Sequence, residues 1–201
     1  MVIKIFASPL SYTIDNVYNE TADEYCIGVD KGAYYALKAG INITLAIGDF
    51  DSVTEAELAY IKKHAKSVQA HPIRKDKTDS DLAVSEALKH NPKRIEIYGG
   101  VGNRLDHTYA NLLLLRRGNI QLINDHQTSF VLKPGRYEIN HKYDFISFFA
   151  IKPVKELSLE GFSFELQAYD LDVDDSLCIS NKGNGIVHFS QGELLVIQAN
   201  D

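Results

Sequence analysis

The sequence predicts two units of different class: a mostly parallel, doubly wound α/β sheet over residues 1–125, followed by an antiparallel β-sandwich or small barrel over residues 126–201. Three observations predict it. Short apolar runs alternate with helical patterns as far as about Asp125, the pattern then changes to strands and turns, and three acidic, glycine-bearing segments stand where strands hand over to helices. Those segments are LAIGDFDS (45–52), RKDKTDSDLA (74–83) and IYGGVGNRLDH (97–107).

In the first unit, residues 2–6, 25–29, 43–47, 67–70, 94–98 and 120–123 are short apolar runs, several rich in β-branched side chains, and predict strands. Helical patterns fill the gaps between them. Residues 31–39 run up to Gly40, and residues 55–65 follow a Ser52-x-x-Glu55 capping box. Residues 79–90 open with acidic side chains that suit a helix N-terminus, and residues 105–117 stop at Gly118. Such alternation implies right-handed crossovers and a mostly parallel sheet. In the second unit, residues 129–132, 136–139, 144–150, 154–159, 177–181, 185–189 and 193–198 alternate apolar and polar residues. Pro134-Gly135 and Gln191-Gly192 are the turn signals between them.

Composition narrows the function classes. A chain of 201 residues with 45% hydrophobic and 24% charged residues can bury a real core, and 27 acidic against 21 basic residues give a net charge of -6. That balance argues against a protein that grips nucleic acid by its phosphates. It suits one that binds ATP through a metal ion acting as charge bridge. Cys26 and Cys178 lie far apart without metal-ligand spacing and read as buried thiols in a reducing cytoplasm. The opening MVIKIFASPL reads as a strand rather than a secretion signal, and no apolar run is long enough to span a membrane.

The chemistry resides in the acidic segments, because loops at the carboxyl ends of parallel strands can pool their carboxylates at one edge. Pooled aspartates call for a hard cation, and Mg²⁺ shared between carboxylates and nucleotide phosphates is the natural guest. Asp49 and Asp51 can share a metal at the end of a strand, or Asp51 and Ser52 can simply cap the next helix. Asp76 and Asp79 flank a helix start, where Lys75 and Lys77 favour phosphate; capping by Thr78 or Asp79, with solvated lysines, is the plainer alternative. Gly99, Gly100 and Gly102 let the backbone approach a phosphate or ribose, with Arg104 as a clamp and Asp106 near the helix start. The pattern is neither a Rossmann fingerprint nor a P-loop. Asp30, in GVDKGA just past a strand, is either a substrate carboxylate or a turn residue. The histidines show no zinc spacing, and no G-x-S-x-G elbow supports a serine triad.

In this order the motifs GVDKGA, GDFDS, KDKTDSDLA, GGVGNRLDH and ISNKG resemble those of the thiamine pyrophosphokinase family along most of the chain. The resemblance implies an enzyme that moves the pyrophosphoryl group of ATP onto the hydroxyl of thiamine, releasing AMP. It implies Asp49, Asp51 and Asp79 as Mg²⁺ ligands, and these with Arg104 as the catalytic set. Asp76, Lys77, Thr78, Gly99, Gly100, Gly102, Arg104, Asp106 and His107 would then hold ATP. Asp30, Asp49, Ser180 and Asn181 would lie near thiamine, at the interface of a cytoplasmic homodimer. Two lysines depart from the family pattern: Lys31 follows Asp30 where a glycine is usual, and Lys182 follows Asn181 where an acid is usual. Neither suits a cationic thiazolium, so both are expected to point away or to serve phosphate. With no Trp in the chain, any aromatic cover over thiamine must come from Tyr or Phe.

The sequence supports two other readings. Asp49-Phe50-Asp51-Ser52-Val53 also matches the DxDx[TV] opening of haloacid-dehalogenase phosphatases, although that motif belongs on a first strand. A sensor of the same fold, binding nucleotide or thiamine without turnover, is the other.

Overall fold

The computed structural model describes residues 1–8, 12–72, 76–102, 104–140 and 142–201. The chain divides into two compact units, Met1–Asp125 and His126–Asp201. Its strands form a mixed sheet, parallel in the first unit and antiparallel in the second.

The first unit orders its strands β4 (Ser67–Ala70), β3 (Leu45–Gly48), β2 (Glu24–Val29), β1 (Val2–Phe6), β5 (Arg94–Tyr98), β6 (Ile120–Ile123). All neighbouring pairs among them are parallel. The chain steps outward from β1 to β4, then returns to lay β5 on the other side of β1. The sheet thus reverses direction at β1 and β5, which is where open α/β sheets bind ligands. Between the strands lie α2 (Lys31–Lys38), α3 (Glu55–His64), α4 (Asp79–Leu88) and α5 (Leu105–Leu114). A short α1 (Ile14–Val17), not expected from the sequence, precedes β2; its single turn is too brief to show a period. Ala33 and Ala36 of α2 and Ile61 of α3 are buried in a core with Phe6, Ile43, Ala46 and Tyr98.

The expected capping box of α3 is displaced by two residues. Thr54 is the N-cap and Glu57 the reciprocal partner, because Ser52 and Val53 are taken up in a turn closed by the Val53 N–H donating to the Phe50 carbonyl at 3.2 Å. Leu115–Arg117 continues α5 as a 3₁₀ turn up to Gly118.

The second unit orders its strands β7 (Gln127–Leu132), β12 (Gln191–Ala199), β9 (Phe145–Glu160), β11 (Gly185–Phe189), β8 (Gly135–Ile139), with β10 (Leu166–Leu171) also on β9. Three expectations are corrected here. Residues 144–150 and 154–159 are one strand, β9, that runs through Pro153. Pro153 is tolerated because the ladder to β12 shifts register there, so no bond is asked of the missing N–H. Residues 177–181 form no strand: Ser180 has φ 58, which breaks the extended backbone, and only an isolated bridge joins Ile146 to Asn181. β10 was not expected, because it pairs with β9 irregularly and is largely exposed, leaving a weak alternation. Phe148, Val154, Leu157, Val187, Phe189 and Val196 fill this unit's core.

One ion pair in the first unit is fully enclosed on its cationic side. Lys4, on the central strand, is 0% exposed; its ammonium pairs with Glu24 at 2.6 Å, donates to the Asn19 carbonyl and lies 4.5 Å from the centre of the Tyr18 ring. Burial alone would raise the Glu24 pKa. Hydrogen bonds from Lys4, Tyr18, the Thr21 N–H and Cys26 outweigh it and hold the carboxyl at about 2 instead of 4.5. Burial, with Glu24 alongside, pushes the Cys26 thiol up to about 12, which keeps it inert.

Glu24→Gln leaves Lys4 buried without a counter-charge and is expected to cost about 3–5 kcal/mol in denaturant unfolding at pH 7. Because the folded pKa of Glu24 is depressed, its contribution is complete above the ordinary carboxylate pKa and is lost as pH falls toward about 2. Melting curves of the wild type and Glu24→Gln should therefore differ at pH 6 and converge near pH 2.

Candidate metal centre and its surroundings

β2 and β3 run parallel with Val29 opposite Ile47, so the residues that follow them emerge side by side. Asp30 and Asp49 leave the sheet there, and Asp79, the first residue of α4, reaches the same place. One carboxylate oxygen from each of Asp30, Asp49 and Asp79 lies within 4.8 Å of the other two. An all-oxygen set at that spacing fits a hard divalent cation and gives no soft donor for zinc or copper.

The backbone makes the convergence possible. Asp30 takes φ 46 and ψ -124, a conformation disfavoured for a residue with a side chain, and Phe50 takes φ 59. Two hydrogen bonds hold this turn: the Asp30 N–H donates to the Ile47 carbonyl at 3.1 Å, and Asp30 Oδ1 accepts from the Phe50 N–H at 3.1 Å. Gly48 must lack a side chain, because a Cβ there would sit 1.8 Å from Asp30 Oδ1.

Asp51 lies outside this trio. It is exposed, and its N–H donates to Asp49 Oδ1 at 3.2 Å, which orients the Asp49 carboxylate. The second segment begins with Arg74 and Lys75, which lie outside the described residues. Asp76 is exposed, and Thr78 caps α4 by accepting from the Asp81 N–H. Lys77 turns back onto α4, 3.5 Å from Asp81, a carboxylate that also holds Arg117 at 2.7 Å.

The third segment runs from the end of β5 into α5, and its Asn103 lies outside the described residues. Gly99 has φ 83, and a Cβ there would meet the Tyr12 ring at 2.6 Å. Asn111, 5% exposed on α5, donates to the Gly100 carbonyl at 2.7 Å, and Thr108 accepts from the Gly102 N–H at 3.3 Å. These two residues shape the glycine loop, and both were missed. The signal was a lone Asn at the head of the apolar run NLLLL. Arg104 and Asp106 are exposed and pair with each other at 2.6 Å; the contact raises the arginine pKa and lowers that of the aspartate. Such an exposed pair opens at little cost to an incoming anion. His107 is exposed in the first turn of α5.

In the second unit, Ser180 is exposed and Asn181 is buried. Asn181 Oδ1 accepts from the Phe164 and Lys182 N–H groups, both at 2.9 Å, and its Nδ2 donates to the Phe164 carbonyl at 2.7 Å. The amide thus fixes the backbone of Phe164, a residue that is 68% exposed. Phe164, Leu166, Leu177, Ile179 and Asn181 line a cavity of about 220 Å³. The departing lysines have partners: Lys31 lies 3.4 Å from Glu57, and the Lys182 ammonium 4.6 Å from the centre of the Phe145 ring.

Known proteins resemble the chain along most of its length. Residues 18–124 match the family model for the thiamin pyrophosphokinase catalytic domain, and residues 136–195 match that for the thiamin pyrophosphokinase vitamin B1 binding domain. Thiamine pyrophosphokinase of Bacillus subtilis (strain 168) is 38% identical over 188 residues, 87% of each chain. The crystal structure of thiamine pyrophosphokinase from Bacillus subtilis superposes with a TM-score of 0.89 at 34% identity, covering 100% of both chains. A thiamin pyrophosphokinase family protein from Enterococcus faecalis superposes at 0.86 with 26% identity, over 100% of this chain and 99% of that one.

Gly48→Ala should push the Asp30 carboxylate out of the trio. Mn²⁺ binding followed by electron paramagnetic resonance is expected to weaken at least about 10-fold, the scale seen when a ligand loses its orienting contacts.

Proposed function

Since the chain belongs to the thiamine pyrophosphokinase family, we propose that its acidic sheet edge holds a divalent cation and the phosphates of ATP, and that its β-unit presents thiamine. The enzyme transfers the pyrophosphoryl group of ATP to the hydroxyl of thiamine, giving thiamine diphosphate and AMP. The convergence of Asp30, Asp49 and Asp79 carries the assignment of the centre. The first unit is then a doubly wound α/β catalytic domain, and the second a β-sandwich that serves thiamine binding and dimerisation.

Asp49 and Asp79 hold the cation, Mg²⁺ in the cell, with Asp30 as the third carboxylate and Asp51 beside them on the same turn. Asp30 thereby belongs with the metal as much as with thiamine. Bound there, the cation would supply Lewis acidity to the phosphates and act as a template. Asp76, Lys77, Thr78, the loop of Gly99, Gly100 and Gly102, Arg104, Asp106 and His107 bind the nucleotide. Arg104 exchanges Asp106 for a phosphate, which its planar fork suits. The protein's main task is to align the thiamine hydroxyl with the β-phosphorus, because transfer of this kind asks little covalent help.

At the thiamine end Asn181 acts through Phe164. Its amide is already bonded, so it holds the aromatic ring in place, and Phe164 with exposed Ser180 meets the vitamin. An exposed aromatic face attracts a cationic heterocycle. The enzyme works as a homodimer with thiamine at the interface between two copies. Among the described residues no helix is long and apolar enough to cross a membrane, and a cytoplasmic site of action fits.

The deciding assay measures products from ATP, thiamine and Mg²⁺. AMP and thiamine diphosphate should appear together, and neither without thiamine or with EDTA. ADP or free phosphate in their place would point to a kinase or phosphatase of another kind. Asp49→Asn and Asp79→Asn should each lower kcat/KM by on the order of 100-fold with melting temperature preserved. Phe164→Ala should raise the thiamine KM roughly 3- to 30-fold and leave the ATP KM alone, with Phe164→Trp restoring it.

A further inference from the structure

Lys31 stands where electrostatics disfavours it. It is the first residue of α2, so the helix dipole opposes its charge, and it directly follows Asp30 of the carboxylate trio. A lysine is a point charge on a flexible four-carbon stem. The carboxylate trio that includes the preceding residue is a natural partner for it. The ammonium lies instead 3.4 Å from Glu57 Oε1, with the two side chains 29% and 17% exposed.

Glu57 is built to receive it. Its other oxygen, Oε2, accepts from the Thr54 N–H at 2.8 Å and the Thr54 hydroxyl at 3.0 Å, so the capping box of α3 orients the carboxylate. The turn just before this box begins at Phe50, whose N–H holds Asp30. Lys31 is thus drawn to the start of a neighbouring helix, where a negative charge is already favoured.

We propose that Glu57 is a positioning residue that holds the Lys31 ammonium at the start of α3 and so keeps it from competing with a divalent cation for the Asp30–Asp49–Asp79 trio. The proposal rests on the assignment of the metal centre above. Without Glu57, Lys31 becomes a tethered competitor for the same carboxylates.

Glu57→Gln isolates the charge, because glutamine keeps both the size of the side chain and its place in the capping box. Mn²⁺ binding to the substrate-free enzyme, followed by electron paramagnetic resonance, should weaken roughly 5-fold in Glu57→Gln. Lys31→Gln should bind at least as tightly as wild type, and the double variant should match Lys31→Gln. In turnover, Glu57→Gln should need more Mg²⁺ for half-saturation yet recover its kcat in excess Mg²⁺, as competition requires. A double variant as weak as Glu57→Gln, or a Lys31→Gln variant weakened to the same degree, would mean that the pair only braces two loops and would overturn the proposal. Asp49→Asn is the control on the centre itself. Unchanged Mn²⁺ binding there removes the centre and the proposal together, whereas loss there with wild-type binding in Glu57→Gln removes the proposal alone.

Discussion

Parallel pairing of β2 with β3 ends both strands at one level, and the chemistry of this edge depends on that register. Neighbouring strands lie about 4.8 Å apart, so residues leaving them in register can bring short side chains to a common point. Asp30 leaves β2 directly and Asp49 leaves β3 one residue further on, and α4 delivers Asp79 to the same place. The cost is local strain at Asp30 and Phe50, offset by the hydrogen bond between them and by the bare backbone of Gly48. A slip of one residue would move Asp49 about 3.3 Å along the sheet edge relative to Asp30.

The second unit applies the same economy with a neutral group. Asn181 lies beneath the surface and spends its amide on the backbone around Phe164. A buried amide left without partners would be costly, so these bonds stabilise the unit and also fix the backbone of Phe164, which lines a cavity.

Much of this was legible in the sequence, for identifiable reasons. Residues 2–6, 67–70, 94–98 and 120–123 are strands with the expected bounds, because apolar runs between helical stretches leave few other choices. Asp49 and Asp79 were singled out by their place between strand and helix. Membership of Asp30 in the trio was not legible, since it depends on a positive φ and on the pairing of two strands. Nor were Asn111 and Thr108, whose side chains bond to a loop up to eleven residues away along the chain. The continuity of β9 through Pro153 was hidden as well, because a proline reads locally as a break and only the partner strand reveals the bulge.

The central position of β1 bears on how the chain is made. Val2 pairs with Glu24 on one side and with Arg94 on the other, so one edge of β1 finds its partner early and the other must wait for β5. Until then the growing chain carries an open strand edge beside Ile3 and Ile5, a template for pairing with other chains. During synthesis at ordinary translation rates that interval lasts several seconds. The Lys4 charge guards the strand only until β2 forms and Glu24 covers it, so it acts before the wait for β5 rather than through it.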